Sequence, residues 1–121
     1  MPGILIEQLG TVMILKVHGE LTFDKAVEAL NGFYSLTSCH ALWDLRTCSS
    51  FEITIAQYKE LLTIANDLMK DRISGRTAFV SADDNIFAIL TKLKDLQETS
   101  EMPYEYSIFM DYEEALNWLS E

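Results

Sequence analysis

Cys39-His40-Ala41-Leu42-Trp43-Asp44-Leu45-Arg46-Thr47 is the stretch that decides the fold. Ala41, Leu42, Trp43 and Leu45 form a nearly continuous apolar run, too short for a helix and without a cap. Such a run, rather than strict alternation, marks a strand with both faces at least partly covered. Asp44 and Arg46 arrive where the run stops, and a polar turn is expected to follow. In parallel α/β sheets, ligand and regulatory contacts gather beyond the carboxyl ends of the strands. Asp44 to Glu52 is therefore the first place to look for a site.

Working outward toward the amino terminus, the central strand is preceded by a helical pattern. Phe23, Ala26, Val27, Leu30, Phe33 and Tyr34 recur at helical spacing after Thr22, an N-cap, and the helix is expected to end near Ser35. Before it, Ile4 to Gln8 and Val12 to His18 read as two strands joined by a turn at Leu9-Gly10-Thr11, an antiparallel hairpin. Gly19-Glu20-Leu21 is expected to lead from the second strand into the helix. Toward the carboxyl terminus, Thr54 and Gln57 form a capping-box pattern ahead of the stripe Tyr58, Leu61, Leu62, Ala65, Leu68 and Met69. Gly75 is expected to be left-handed beyond that helix. Arg76 to Ala82 is the fourth strand. Asp83 caps a helix carrying Ile86, Ile89, Leu90, Leu93 and Leu96. Met102-Pro103 is loop, Tyr104 to Met110 the fifth strand, and Asp111 opens a last helix with Glu114 three residues on. The order is β-β-α-β-α-β-α-β-α: an α/β fold with a mixed, mostly parallel five-stranded sheet and four helices, in which only the first strand runs against the others.

The 121 residues are read as a single domain spanning 1–121, and 49% hydrophobic content is ample for its core. The formal net charge is −10, from 19 acidic and 9 basic residues. That argues against nucleic acid and against electrostatic attachment to anionic lipid, both of which need clustered Lys and Arg. No apolar run approaches the length of a membrane span. Cys39 and Cys48 are too few for a disulfide framework, and no signal-peptide pattern opens the sequence, so a cytoplasmic setting with reduced thiols is expected.

The order and its punctuation resemble the bacterial, SpoIIAA-like branch of the STAS superfamily (the sulfate transporter and anti-sigma-factor antagonist domains). The resemblance rests on Gly19-Glu20-Leu21-Thr22, on Leu42-Trp43-Asp44-Leu45-Arg46, on Thr77-Ala78-Phe79-Val80-Ser81, and on the ending Phe109-Met110-Asp111-Tyr112-Glu113-Glu114-Ala115-Leu116-Asn117-Trp118-Leu119. It implies a superhelix of βα turns and a non-enzymatic regulatory or interaction module with an unidentified protein partner and no cofactor. A related lineage, the CRAL-TRIO lipid-transfer domains, implies the alternative of a binder of small apolar molecules such as a lipid or fatty acid. The antagonists carry Asp-Ser-Ser-Gly at the start of the helix after the third strand. Here the corresponding residues are Ile53-Thr54-Ile55-Ala56, without the acid or the glycine.

Thr54 has two readings. As a phosphoacceptor it would set a phosphate against the free N–H groups of a helix start; as a cap it is supported by Gln57. Ser49 and Ser50 are looser acceptors, and Thr47 belongs to the same loop. Asp44 and Arg46, two apart in a strand, leave on one side. Either they bind a polar ligand or partner, or Asp44 accepts loop N–H groups while Arg46 is solvated. His18, His40, Cys39 and Cys48 show no metal-ligand spacing. No Cys–His nucleophile is supported, since neighbouring residues in a strand face opposite ways. Asp83-Asp84 reads as an acidic helix start, and no catalytic set is complete. If the helices cover mainly one sheet face, Met13, Leu15, Val17, Ala41, Trp43, Ala78 and Val80 supply it. Val12, Ile14, Leu42 and Phe79 are then either an exposed patch and the contact of a homodimer, or buried under a helix.

Overall fold

The computed structural model describes residues 4–33, 40–68, 76–98 and 105–120. The elements are β1 (Ile4–Leu9), β2 (Val12–Thr22), α1 (Phe23–Phe33), β3 (His40–Glu52), α2 (Ile55–Leu68), β4 (Arg76–Val80), α3 (Asp84–Glu98), β5 (Glu105–Phe109) and α4 (Tyr112–Ser120). The sheet order is β1-β2-β3-β4-β5, with β1 antiparallel to β2 and every other pair parallel. Order, direction and number of elements agree with the sequence expectation. The expected helix end near Ser35, the left-handed Gly75 and the Met102-Pro103 loop lie outside the described residues, as does Cys39.

Local chemistry accounts for the boundaries. Gly10 takes a φ of 60° between β1 and β2, the first central position of a type II′ turn, which an L side chain resists. The Asp83 carboxylate accepts the N–H groups of Asn85 and Ile86 at 2.9 and 3.1 Å and so starts α3. Asp111 does the same for α4 through Glu113 and Glu114.

Two strands run further than expected. β2 continues through Gly19-Glu20-Leu21 to Thr22, and β3 continues through the supposed turn to Glu52, because the two stay paired there. The pairing steps from Lys16↔Asp44 to His18↔Thr47 and from Gly19↔Cys48 to Glu20↔Ser50, so β3 carries an extra residue at each step. These bulges let polar residues sit in a strand without breaking the ladder. Gly19, at φ 77°, supplies the unusual backbone that one of them uses.

The sheet is covered on both faces. On one face Met13, Leu15, Val17, Ala41, Trp43 and Leu45 pack with residues of α1, α2 and α3, including Ala26, Leu30, Leu61, Ile86 and Leu90. On the other, Val12, Ile14, Leu42, Ala78 and Val80 pack under Ala115 and Leu119 of α4. Of the two alternatives for Val12, Ile14 and Leu42, an exposed patch or burial under a helix, the structure shows the second: α4 buries all three within the chain. Phe79, expected beside Val12, Ile14 and Leu42, lies on the opposite face. Trp43 pairs with Phe79 in the ladder, and their rings stack at 5.9 Å between centroids, 8° from parallel, on the α1–α3 side. Shifting one strand by a single residue moves all its side chains across the sheet, and Ala78 and Val80 accordingly belong under α4.

One polar group in this core is uncompensated. The Thr77 hydroxyl oxygen is buried and has no hydrogen-bond partner among the described residues. Replacing it with a methyl keeps the shape and removes a desolvation cost. Thr77→Val is expected to raise the unfolding free energy by about 1 kcal/mol, read from the midpoint of a urea titration.

Candidate functional site

The polar residues singled out in the sequence lie along β3 rather than in a turn beyond it. Asp44 is in the middle of the strand, flanked by Lys16 on β2 and Val80 on β4. Its side chain is almost entirely buried, and it is fully engaged from within its own strand. Oδ1 accepts the Arg46 backbone N–H at 3.1 Å and the Arg46 Nε–H at 2.8 Å, and Oδ2 accepts from the Arg46 Nη2 at 2.7 Å. The side chains do leave on one side, as strand geometry requires. Arg46 is not merely solvated: its guanidinium also lies over the Tyr112 ring, 4.1 Å from the centroid. Tyr112 is the first residue of α4, so the pair ties that helix to β3. Beside them Lys16 donates to Glu7 at 2.8 Å.

The electrostatics follow from this packing. Burial alone pushes the Asp44 carboxyl up, but the hydrogen bonds and charge of Arg46 outweigh it and hold the group below the usual carboxylate value. The Tyr112 phenol is pushed up, by burial first and then by the Asp44 carboxylate. The hydrogen bond that Lys16 donates to Glu7 raises the pKa of the Lys16 ammonium.

Further along β3, the Thr47 hydroxyl donates to the Val17 carbonyl at 2.7 Å, and its oxygen lies 2.9 Å from His18 Nδ1. The Cys48 thiol is buried and donates to the Ser50 carbonyl at 3.2 Å, and burial raises its pKa. Ser49 is exposed and Ser50 half-buried. Thr54 caps α2: its hydroxyl accepts the Gln57 N–H at 3.1 Å, and Gln57 Oε1 accepts the Thr54 N–H at 3.0 Å. His40 Nδ1 accepts the Arg76 N–H at 3.0 Å, at the opposite end of β3 from Cys48. The structure thus brings Asp44 and Arg46 together and strings Thr47, Ser49, Ser50 and Thr54 along the strand and its exit. Sequence reading missed Tyr112, Lys16 and Glu7 as members of the Asp44 cluster. Only the fold places α4 over β3, and no local pattern marks that contact.

No family model matches the chain, and no curated protein matches it. Solved structures do. The chain is similar to the anti-sigma factor antagonist SpoIIAA in its unphosphorylated form, with a TM-score of 0.61, 12% identity and 97% of each chain covered. It is similar to an uncharacterised protein of the DUF3478 family with a SpoIIAA-like fold from Shewanella loihica PV-4, at TM-score 0.60 and 20% identity, covering 96% of this chain and 91% of that one. It is also similar to a Thermotoga maritima protein described as a candidate anti-sigma factor antagonist, at TM-score 0.66 and 15% identity, covering 98% and 95%.

Two outcomes test this geometry. A folded-state pKa held below the unfolded value of about 3.9 gives stability that is present at neutral pH and lost as pH falls through the folded value. Arg46→Gln should raise the Asp44 pKa toward or above the ordinary range, which carboxyl NMR titration reads directly. It should also shift acid unfolding to higher pH. Because Arg46 is partly exposed, solvent screening keeps the effect modest. Thr54→Ala should cost about 1 kcal/mol, the worth of an N-cap, in a urea titration. Phosphopeptide mapping after incubation with cell extract and ATP should find Thr54 unmodified. With these contacts in place, the chain has a SpoIIAA-like fold, an α/β sheet with five strands and four helices among the described residues.

Proposed function

We propose that the chain is a non-enzymatic regulatory module that works by binding a protein partner at the carboxyl-terminal rim of its parallel strands. The observation that carries this is the make-up of the rim. Glu20, Glu52, Asp83, Asp84, Asp111 and Glu113 are all exposed where β2 to β5 end or their following helices begin. Set among them are two large apolar side chains, Ile55 and Met110, exposed to 57% and 52%. Apolar anchors within a predominantly acidic field fit a basic protein surface with an apolar contact of its own. The named role of SpoIIAA, an antagonist of an anti-sigma factor, supports a regulatory reading for a chain of the same fold.

Within this reading Ser49, Ser50 and Thr54 border the docking rim, and Thr54 acts as a cap rather than as a switch. Asp44, Arg46 and Thr47 hold the rim's supporting strand and the start of α4 in place. The buried thiol of Cys48 fits a cytoplasmic, reducing setting. The apolar-ligand alternative gains no support, because the apolar residues that β2, β3 and β4 present on the two sheet faces pack against helices.

Affinity capture from the native cell with wild type and with Ile55→Arg/Met110→Arg tests the proposal. Both positions are exposed, so the double variant should keep the wild-type circular dichroism and urea midpoint. A partner retained by wild type and lost by the variant is the expected result. Equal retention by both would put the interface elsewhere.

A further inference from the structure

We propose that the free edge of β1 pairs with the β1 edge of a second copy, so that two chains share one continuous sheet about a two-fold axis. This goes beyond the rim reading and leaves both rims open. β1 ends the strand order and, among the described residues, hydrogen-bonds as a strand to β2 alone, so its outer edge presents backbone N–H and C=O groups. Natural edges are commonly guarded by unpaired charges, above all lysine, by a proline or by a bulge. The strand Ile-Leu-Ile-Glu-Gln-Leu has no lysine, proline or bulge, its one charge, Glu7, is paired with Lys16, and its pairing with β2 runs unbroken from Ile4↔Val17 to Leu9↔Val12.

The side chains favour the same junction. Register places Leu5, Glu7 and Leu9 on the face that α4 covers elsewhere. α4 packs chiefly on β3, β4 and β5, which leaves β1 open. Leu5 and Leu9 are exposed to 51% and 54%, far more than the other apolar residues of the sheet face they share. A two-fold axis through the sheet brings Leu5 and Leu9 of both copies onto one face beside the new ladder.

Charge selects a second copy as the occupant. With a net charge of −10, two copies repel wherever their unpaired carboxylates face each other. The rim gathers such carboxylates; the β1 edge does not. Its one charged residue, Glu7, is already matched by Lys16 at 2.8 Å. The edge is thus a place where this acidic chain meets itself without opposing free acids, and where a basic partner finds little to attract it. An antiparallel strand pair is also self-complementary in its backbone, as a two-fold contact requires.

Sedimentation velocity of the full chain, from low to high micromolar and at two salt concentrations, tests this. Wild type should form a dimer that tightens as salt rises, because salt screens the residual net-charge repulsion. Leu5→Lys/Leu9→Lys puts edge-guarding lysines on exposed positions and should sediment as a monomer over the same range, with circular dichroism and urea midpoint unchanged. Hydrogen exchange of wild type gives a second readout that needs no variant: amides of Ile4–Leu9 should gain protection as protein concentration rises. A wild-type monomer throughout, a dimer that survives in the natively folded double variant, or β1 amides indifferent to concentration would each overturn the proposal.

Discussion

A carboxylate in the middle of a sheet covered on both faces must find its compensation close by. Asp44 is that carboxylate, and the arrangement around it constrains three parts of the fold together. An unpaired charge there would cost several kcal/mol. The partner comes from two residues along the same strand, and the extra residue that β3 carries between Asp44 and Thr47 leaves the local backbone free to turn Arg46 back. The carboxylate takes one edge of the guanidinium, and the ring of Tyr112 lies against one of its faces. The bulge in β3, the ionised state of Asp44 and the seat of α4 are thus parts of one arrangement.

The far end of α4 is held by similar means. The Arg76 guanidinium lies over the Trp118 ring, 5.2 Å from the centroid, and donates to the Trp118 carbonyl at 2.6 Å. A cation at a helix carboxyl end also meets the negative end of its dipole. A helix of nine residues is marginal alone. Here it is capped by Asp111, held near both ends by arginine on aromatic, and anchored between them by Ala115 and Leu119 on the sheet. That is why the second sheet face is buried rather than offered to another molecule. The capping pattern of α4 was visible in the chain, but its destination was not. A helix that follows the last strand can fold to either face, and neither Arg46 nor Arg76 announces an aromatic partner by spacing.

Legibility elsewhere divides along the same physical line. Local signals were readable: the Gly10 turn, the Thr54–Gln57 box, the Asp83 and Asp111 caps, and the apolar run from Ala41 to Leu45. What depended on pairing between strands was not. The polar residues of β3 from Arg46 to Glu52 resemble a turn by composition, and only a partner strand of matching length reveals them as strand. Gly19 reads as a break, yet it sits inside β2 with a positive φ, beside a step where β3 carries an extra residue. Phe79 and Val80 are both apolar, so alternation in β4 cannot say which faces α4; the ladder to Trp43 and Asp44 decides it. In the site, the Asp44–Arg46 spacing was informative because it needed only the period of a strand. Lys16, Glu7 and Tyr112 come from other elements and required the fold.

The layout of charge carries the synthesis one step further. A chain with this excess of acid gains solubility from repulsion between its copies, but repulsion is useful only where contact is unwanted. Beyond about 8 Å it is screened at physiological salt, so local placement matters more than the total. Exposed carboxylates concentrate at the carboxyl-terminal rim beside the exposed Ile55 and Met110, and under the proposed reading this rim discriminates by sign among the proteins that approach it. The β1 edge carries two exposed leucines, Leu5 and Leu9, beside a neutralised ion pair and cannot discriminate in that way. Two apolar surfaces of similar exposure thus have opposite electrostatic settings. The rim is suited to a basic partner, and the edge to a contact whose specificity comes from strand geometry.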